Sequence, residues 1–136
     1  MNDALGELTK PLAAVVLGAG KGTRMKSEHP KVMHKLAGRS MLGHVIDALD
    51  ALAAAQSVVV VGPDMPQVAK EAAPHRVVEQ TERLGTAHAA LCAKSALKNF
   101  HGTLFILFGD TPMLTGEALC NLALATESAD LAIAAF

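Results

Sequence analysis

The chain is 136 residues long with a formal net charge of −1, 12 Lys and Arg set against 13 Asp and Glu. That length makes one domain with a substantial core, and a composition 51% hydrophobic and only 18% charged excludes a disordered chain. The near-neutral balance argues against a nucleic-acid partner, which calls for a strong basic excess.

Residues 1–10 read as a flexible polar lead-in (Asn2, Asp3, Glu7) without the basic and long apolar regions of a secretory signal. No uninterrupted apolar run approaches a membrane span, so the expectation is a cytoplasmic protein with no membrane partner. Cys92 and Cys120 have neither metal-ligand spacing nor the density of a disulfide scaffold, and read as small core residues.

The first strand is expected over about 12–17, from the apolar run Leu12-Ala13-Ala14-Val15-Val16. A loop follows, Leu17-Gly18-Ala19-Gly20-Lys21-Gly22-Thr23-Arg24, and runs to about residue 38 past Pro30, with Lys31-Val32-Met33 mildly extended. Its three glycines let the backbone turn sharply and bring bare N–H groups close to a ligand. Between Lys21 and Arg39 lie six basic residues (Lys21, Arg24, Lys26, Lys31, Lys35, Arg39) and one acid, Glu28. A solvated loop would tolerate such charge, but glycines beside cations suit a polyphosphate better.

Ser40 is placed to cap a helix carrying Met41, Val45, Ala48, Leu49 and Leu52 at helical spacing. Ser57-Val58-Val59-Val60-Val61 is a strand without alternation, hence covered on both faces. Gly62-Pro63-Asp64 breaks it, and Met65 to Ala73 reads as a short helix ended by Pro74. Arg76 to Glu79 is a short strand, Gln80 to Gly85 a connection, and Thr86 to Leu97 an alanine-rich helix. Thr103 to Phe108 is expected to be a fully buried strand, stopped by Gly109-Asp110-Thr111-Pro112. Thr115 caps a helix over about 116–125, and Leu131 to Phe136 reads as a last apolar strand. A chain ending on such a strand, with no turn or polar tail, is expected to be a fragment.

The alternation of strand and helix predicts an α/β fold, a Rossmann-like, mostly parallel sheet with helices on both faces. In such sheets ligands gather beyond the carboxyl ends of the strands. The glycine loop, Gln80 to Thr86, and Gly109-Asp110 each follow a strand, so all three are expected on one edge as one site.

Two familiar phosphate loops do not fit. The dinucleotide fingerprint needs two residues between its second and third glycines, and only Lys21 separates Gly20 from Gly22. The Walker loop needs Ser or Thr directly after its lysine, and Gly22 intervenes before Thr23.

The pattern Leu-(Ala/Gly)-Ala-Gly-x-Gly-Thr-Arg-Met followed by Pro-Lys resembles the signature of sugar-nucleotide pyrophosphorylases. Pro30-Lys31-Val32-Met33-His34, Leu36-Ala37-Gly38 and His44-Val45-Ile46-Asp47-Ala48 are similar to the bacterial N-acetylglucosamine-1-phosphate uridylyltransferases. So are Gln80-Thr81-Glu82-Arg83-Leu84-Gly85-Thr86-Ala87-His88-Ala89 and Phe108-Gly109-Asp110-Thr111-Pro112. The resemblance runs from about residue 12 to the end, so that 11–136 would be the N-terminal, nucleotide-binding part of a nucleotide-diphospho-sugar transferase fold.

The resemblance implies Mg²⁺-dependent transfer of a uridylyl group from UTP to N-acetylglucosamine 1-phosphate, for cell-envelope precursors. Leu17, Gly18, Ala19 and Gly20 would hold the nucleotide through the backbone, with Lys21 near the phosphates. Gln80, Gly85 and Thr86 would meet the uracil edge, and Phe108 and Gly109 would flank the site. Asp110 would bind Mg²⁺, while Arg24 and Lys31 would be the catalytic cations. By itself Gln80 would pass for a surface amide, and His88 for a helix-face residue. Phe108 stands where the family usually has Tyr. The family's domain runs on to a Gly-Tyr-Gly-Arg segment, sugar-site residues, a second Mg²⁺ ligand and a β-helix domain that would make a homotrimer. The chain alone is therefore expected to be a weak or inactive catalyst. Two other readings are a nucleotidyltransferase with another base or acceptor, such as a molybdenum-cofactor guanylyltransferase or a cytidylyltransferase, and a non-catalytic nucleotide-binding module.

Overall fold

The computed structural model describes residues 6–135. Four strands, β1 (Leu12–Leu17), β4 (Gln56–Val61), β5 (Arg76–Glu79) and β6 (Thr103–Phe108), form a sheet in the order β5-β4-β1-β6, every pair parallel. A separate two-stranded hairpin, β2 (Lys35–Leu36) and β3 (Arg39–Ser40), lies between β1 and the first helix. The helices are α1 (Met41–Asp50), α2 (Pro66–Glu71), α3 (Thr86–Cys92) and α4 (Gly116–Ala125).

The apolar runs dictate this order. β1 is central and pairs on both sides, Val15 with Val58 and with Ile106, so its residues Leu12 to Val16 are buried whichever way they point. The valines of β4 suit a pleated surface covered on both faces, and Val58 to Val61 are all buried. One core joins Ala14, Val16, Val59 and Leu107 to Leu42, Val45 and Leu49 of α1, Val68 of α2 and Leu119 of α4. On the opposite face Val15, Val58 and Val60 pack against Ala89 and Ala93, in and just after α3. Each fully buried Val or Leu contributes about 1.5–3 kcal/mol.

Ser40 caps α1 as its sequence predicts, its Oγ accepting from Gly43 N at 2.9 Å and donating to Glu71. Arg39 clasps Asp47 of α1 through Nη2 (2.8 Å) and Nε (3.0 Å), and reaches Glu71 of α2 at 3.4 Å. The hydrogen bond from Arg39 holds the Asp47 carboxyl below the ordinary carboxylate range, and the same bond raises the Arg39 guanidinium. These bonds fix the hairpin against the two helices.

Several expectations need correcting. Lys31–Met33 is a 3₁₀ turn rather than extended chain, closed by Met33 N on Pro30 O at 2.9 Å and His34 N on Lys31 O at 3.1 Å. The loop up to residue 38 also contains the first strand and the turn of the hairpin, where Ala37 and Gly38 both take left-handed φ, as tight hairpins require. The helix expected over Met65 to Ala73 is shorter, Pro66–Glu71. That expected over Thr86 to Leu97 ends at Cys92, where Ala93 N turns to Ala90 O and a 3₁₀ turn, Lys94–Leu97, takes over.

β6 is not fully buried. Phe105 and Leu107 face the main core, but Leu104, Ile106 and Phe108 are 45%, 51% and 49% exposed, because α3 reaches only across β1 and β4 on that face. The expected last strand does not form over residues 131–135, which pair with no strand among the described residues, and Phe136 lies outside them. Of the lead-in, residues 1–5 lie outside them too; Thr9 N and Oγ1 donate to the Glu127 carboxylate just after α4, which holds that carboxyl below its ordinary range.

Candidate functional site

Three segments leave the sheet at the carboxyl ends of β1, β5 and β6, and they enclose one cavity of about 280 Å³. The loop after β1 contributes Leu17, Ala19, Gly20 and Gly22, and the following 3₁₀ turn contributes Lys31 and Val32. The connection after β5 contributes Gln80, Arg83 and Gly85, continued by Thr86 and Ala89 of α3. β6 contributes Phe108, and the turn after it Asp110. The parallel arrangement is what brings them together, since each follows a strand pointing the same way.

Of the residues singled out from sequence, Leu17, Ala19, Gly20, Lys31, Gln80, Gly85, Thr86, Phe108 and Asp110 line this cavity. Gly18, Lys21, Arg24 and Gly109 do not. Gly18 N donates to Val60 O at 2.8 Å and Gly109 N to Leu17 O at 3.0 Å, so both N–H groups tie loop ends to neighbouring strands. Lys21 and Arg24 are exposed and make no ion pair among the described residues; Arg24 sits in the 3₁₀ turn Thr23–Met25 beyond the glycine loop.

Gly22 and Lys31 explain each other. Gly22 has φ +61, and a Cβ there would lie 2.5 Å from the Lys31 Cβ. Only glycine lets the loop fold down onto the lysine. Gly20 differs: a Cβ there meets nothing within 4 Å, so its backbone faces open cavity. Lys31 Nζ lies 2.6 Å from Asp110 Oδ2, with 41% and 29% of the two side chains exposed. Among the described residues Asp110 is the one carboxylate on the cavity wall, and they hold no cluster of three His, Cys, Asp or Glu.

Gln80 is not a surface amide but 4% exposed. Its backbone N donates to Val61 O at 2.8 Å, which continues the sheet past β5. Its side-chain Nε2 donates to Gly85 O at 3.1 Å and lies 3.0 Å from His88 Nδ1.

Arg83 was legible only as part of the motif that contains it, with no role of its own. Its Nε donates to Ala19 O at 3.2 Å, bridging the loop after β5 to the glycine loop. Gly62 makes room for that crossing, since a Cβ there would lie 2.5 Å from Arg83 Nη2. The signal was available: a cation directly after a parallel strand falls on the ligand edge by the rule that placed its neighbours there.

Residues 14–136 match the family described as the MobA-like NTP transferase domain. The bifunctional protein GlmU of Rhodospirillum rubrum is 56% identical over 110 residues, covering 81% of this chain and 25% of that protein. GlmU of Caulobacter vibrioides is 43% identical over 141 residues, covering 100% of this chain and 30% of that protein. The chain thus spans about a quarter to a third of the length of these curated relatives. Among solved structures, Rv0371c from Mycobacterium tuberculosis superposes with a TM-score of 0.67 at 23% identity, over 88% of this chain and 62% of that one. That likeness is one of fold.

Proposed function

The chain belongs to the family of MobA-like NTP transferase domains, and from that membership we propose that it carries the nucleotide half of a uridylyltransferase. The reaction is transfer of the uridylyl group of UTP to N-acetylglucosamine 1-phosphate, giving UDP-N-acetylglucosamine and pyrophosphate. A cytoplasmic role in making cell-envelope precursors goes with that product. The relatives named GlmU, at 43% and 56% identity, support this acceptor and base over the guanylyl and cytidylyl alternatives.

The single observation that carries the reading is one cavity walled by an open glycine backbone, a cation–carboxylate pair and a buried amide. Each part answers one part of UTP. Gly20 leaves room for a phosphate to approach the main chain. Lys31 offsets charge on the α-phosphate and the departing pyrophosphate. Gln80 and Gly85 face the base.

The attacking group is an oxygen of the sugar phosphate, already an anion, so no general base is required. It bonds to the α-phosphorus as the bond from that phosphorus to the bridging oxygen breaks, and pyrophosphate leaves. Asp110 fits a magnesium ion: Mg²⁺ takes one or two carboxylates and completes its shell with water and substrate phosphates, and a single carboxylate on the wall of this cavity offers that. Such an ion would supply further charge neutralisation. Asp110 would hold that ion, and Lys31, its present partner at 2.6 Å, would then be left to meet phosphate. Arg24, outside the cavity wall, is assigned to the outer phosphates of bound UTP.

Pyrophosphate release with UTP and a panel of sugar 1-phosphates tests the reading. The expected result is release that depends on UTP, on Mg²⁺ and on N-acetylglucosamine 1-phosphate, slow in this chain and faster in the relatives that extend beyond it. Equal release from GTP or CTP, or indifference to the acceptor, would reject it.

A further inference from the structure

We propose that His88 is a positioning residue for base selection: its Nδ1 lone pair holds the Gln80 amide with Oε1 turned to the cavity. The inference deepens the uridylyl reading and rests on it. A main-chain carbonyl can only accept, so the Gln80 atom 3.1 Å from Gly85 O is the amide nitrogen. That nitrogen has a second hydrogen, and His88 Nδ1 lies 3.0 Å away to take it. His88 therefore carries its ring proton on Nε2 and presents a lone pair at Nδ1.

With both amide hydrogens committed, Oε1 is what Gln80 has left to offer. It makes no hydrogen bond among the described residues, nor is it one of their sequestered polar atoms, and the side chain lines the cavity. Gly85 also lines the cavity, and its N–H makes no hydrogen bond among the described residues. The proposal takes these two as the groups that meet the base, one donor and one acceptor on the same wall. Uracil offers the complement, a carbonyl oxygen next to the N3–H. In the proposed pose, with O2 against the Gly85 N–H and N3 against Oε1, cytosine offers two acceptors.

A half-turn of the Gln80 amide would convert the wall to two donors, the complement of cytosine. That half-turn sets Oε1 against two acceptors at once, Gly85 O and His88 Nδ1. Gly85 O belongs to the fold, so His88 is the side chain on which the discrimination turns. Removing its lone pair leaves one restraint of two, and the loss of one hydrogen-bond preference corresponds to about a five- to tenfold fall in selectivity.

The test is calorimetric titration of the chain with UTP and with CTP, in wild type, His88→Phe and His88→Asn. Expected is a wild-type preference for UTP, cut about five- to tenfold in His88→Phe and restored in His88→Asn, whose Oδ1 can accept where Nδ1 did. A preference unchanged in His88→Phe overturns the role of His88 and leaves the uridylyl reading standing. A wild type that prefers CTP, or binds neither, overturns both. Nitrogen NMR of the wild-type imidazole decides even where a variant fails to fold: a bare Nδ1 supports the assignment, and a proton on Nδ1 overturns it.

Discussion

Lys31 Nζ lies 2.6 Å from Asp110 Oδ2 although 79 residues separate them, and the contact joins the loop after β1 to the turn after β6. Both side chains keep substantial exposure, so the pair contributes only about 0–1 kcal/mol to folding. Its position on the cavity wall accounts for it better than its stability does. Lys31→Met and Asp110→Asn are therefore expected to leave the thermal midpoint within a few degrees while slowing pyrophosphate release about 10²–10³-fold, as loss of a positioned charge does. Thermal unfolding and the release assay, run on the same samples, check both halves.

Gly22 and Gly20 are two residues apart and predict opposite behaviour. Gly22→Ala imposes a left-handed φ on alanine, about 1–2 kcal/mol, and drives its Cβ to 2.5 Å from the Lys31 Cβ, so urea unfolding moves to lower midpoint. Gly20→Ala places a methyl in open space, so the unfolding midpoint holds and UTP affinity falls. If Gly20→Ala bound UTP as wild type does, no phosphate approaches that backbone.

Arg83 ties Ala19 O to the far side of the site, and Gly62 leaves it space. Arg83→Met keeps the aliphatic stem and loses the donor. UTP affinity should fall about tenfold with the unfolding midpoint little changed, since the guanidinium holds two ligand loops in register rather than filling the core. Unchanged affinity would reduce Arg83 to a surface cation.

Acid should weaken the clasp between β3 and α1. Asp47 titrates below the ordinary carboxylate range because Arg39 donates to it. The native state thus binds fewer protons than the unfolded chain there, so the stabilisation is present above the ordinary carboxylate range and lost as pH falls from that range through the lower folded value. Asp47 is 57% exposed, so the effect is about 0.2–1 kcal/mol. Denaturation of Asp47→Asn at neutral and acidic pH should give a flatter profile than wild type, and parallel profiles would remove the clasp from the pH response.

Much of this was readable in the sequence. Apolar runs without alternation located β1 and β4, Ser40 and Thr115 marked two helix starts, and their side chains accept from Gly43 N and Ala118 N. The rule for parallel sheets placed three loops on one edge. What was not readable depended on neighbours. The exposure of Leu104, Ile106 and Phe108 follows from which strands α3 covers, and no local pattern encodes that. The hairpin at Lys35 to Ser40 is too short for a periodic signal, and its Ala37 reaches positive φ without a glycine. Gln80 looked like a surface amide because its partners, Gly85 O and His88 Nδ1, come into reach only once the chain turns into α3.

The most direct test of the central claim is a UTP titration of the isotopically labelled chain, followed by amide NMR. Shifts centred on the cavity wall, Gly20, Gly22, Lys31, Gln80, Gly85 and Asp110, and extending to Arg24, with UTP bound more tightly than CTP or GTP, are the predicted result. Binding without preference among the three, or shifts centred at the other end of the sheet around Gln56 and Arg76, would contradict it.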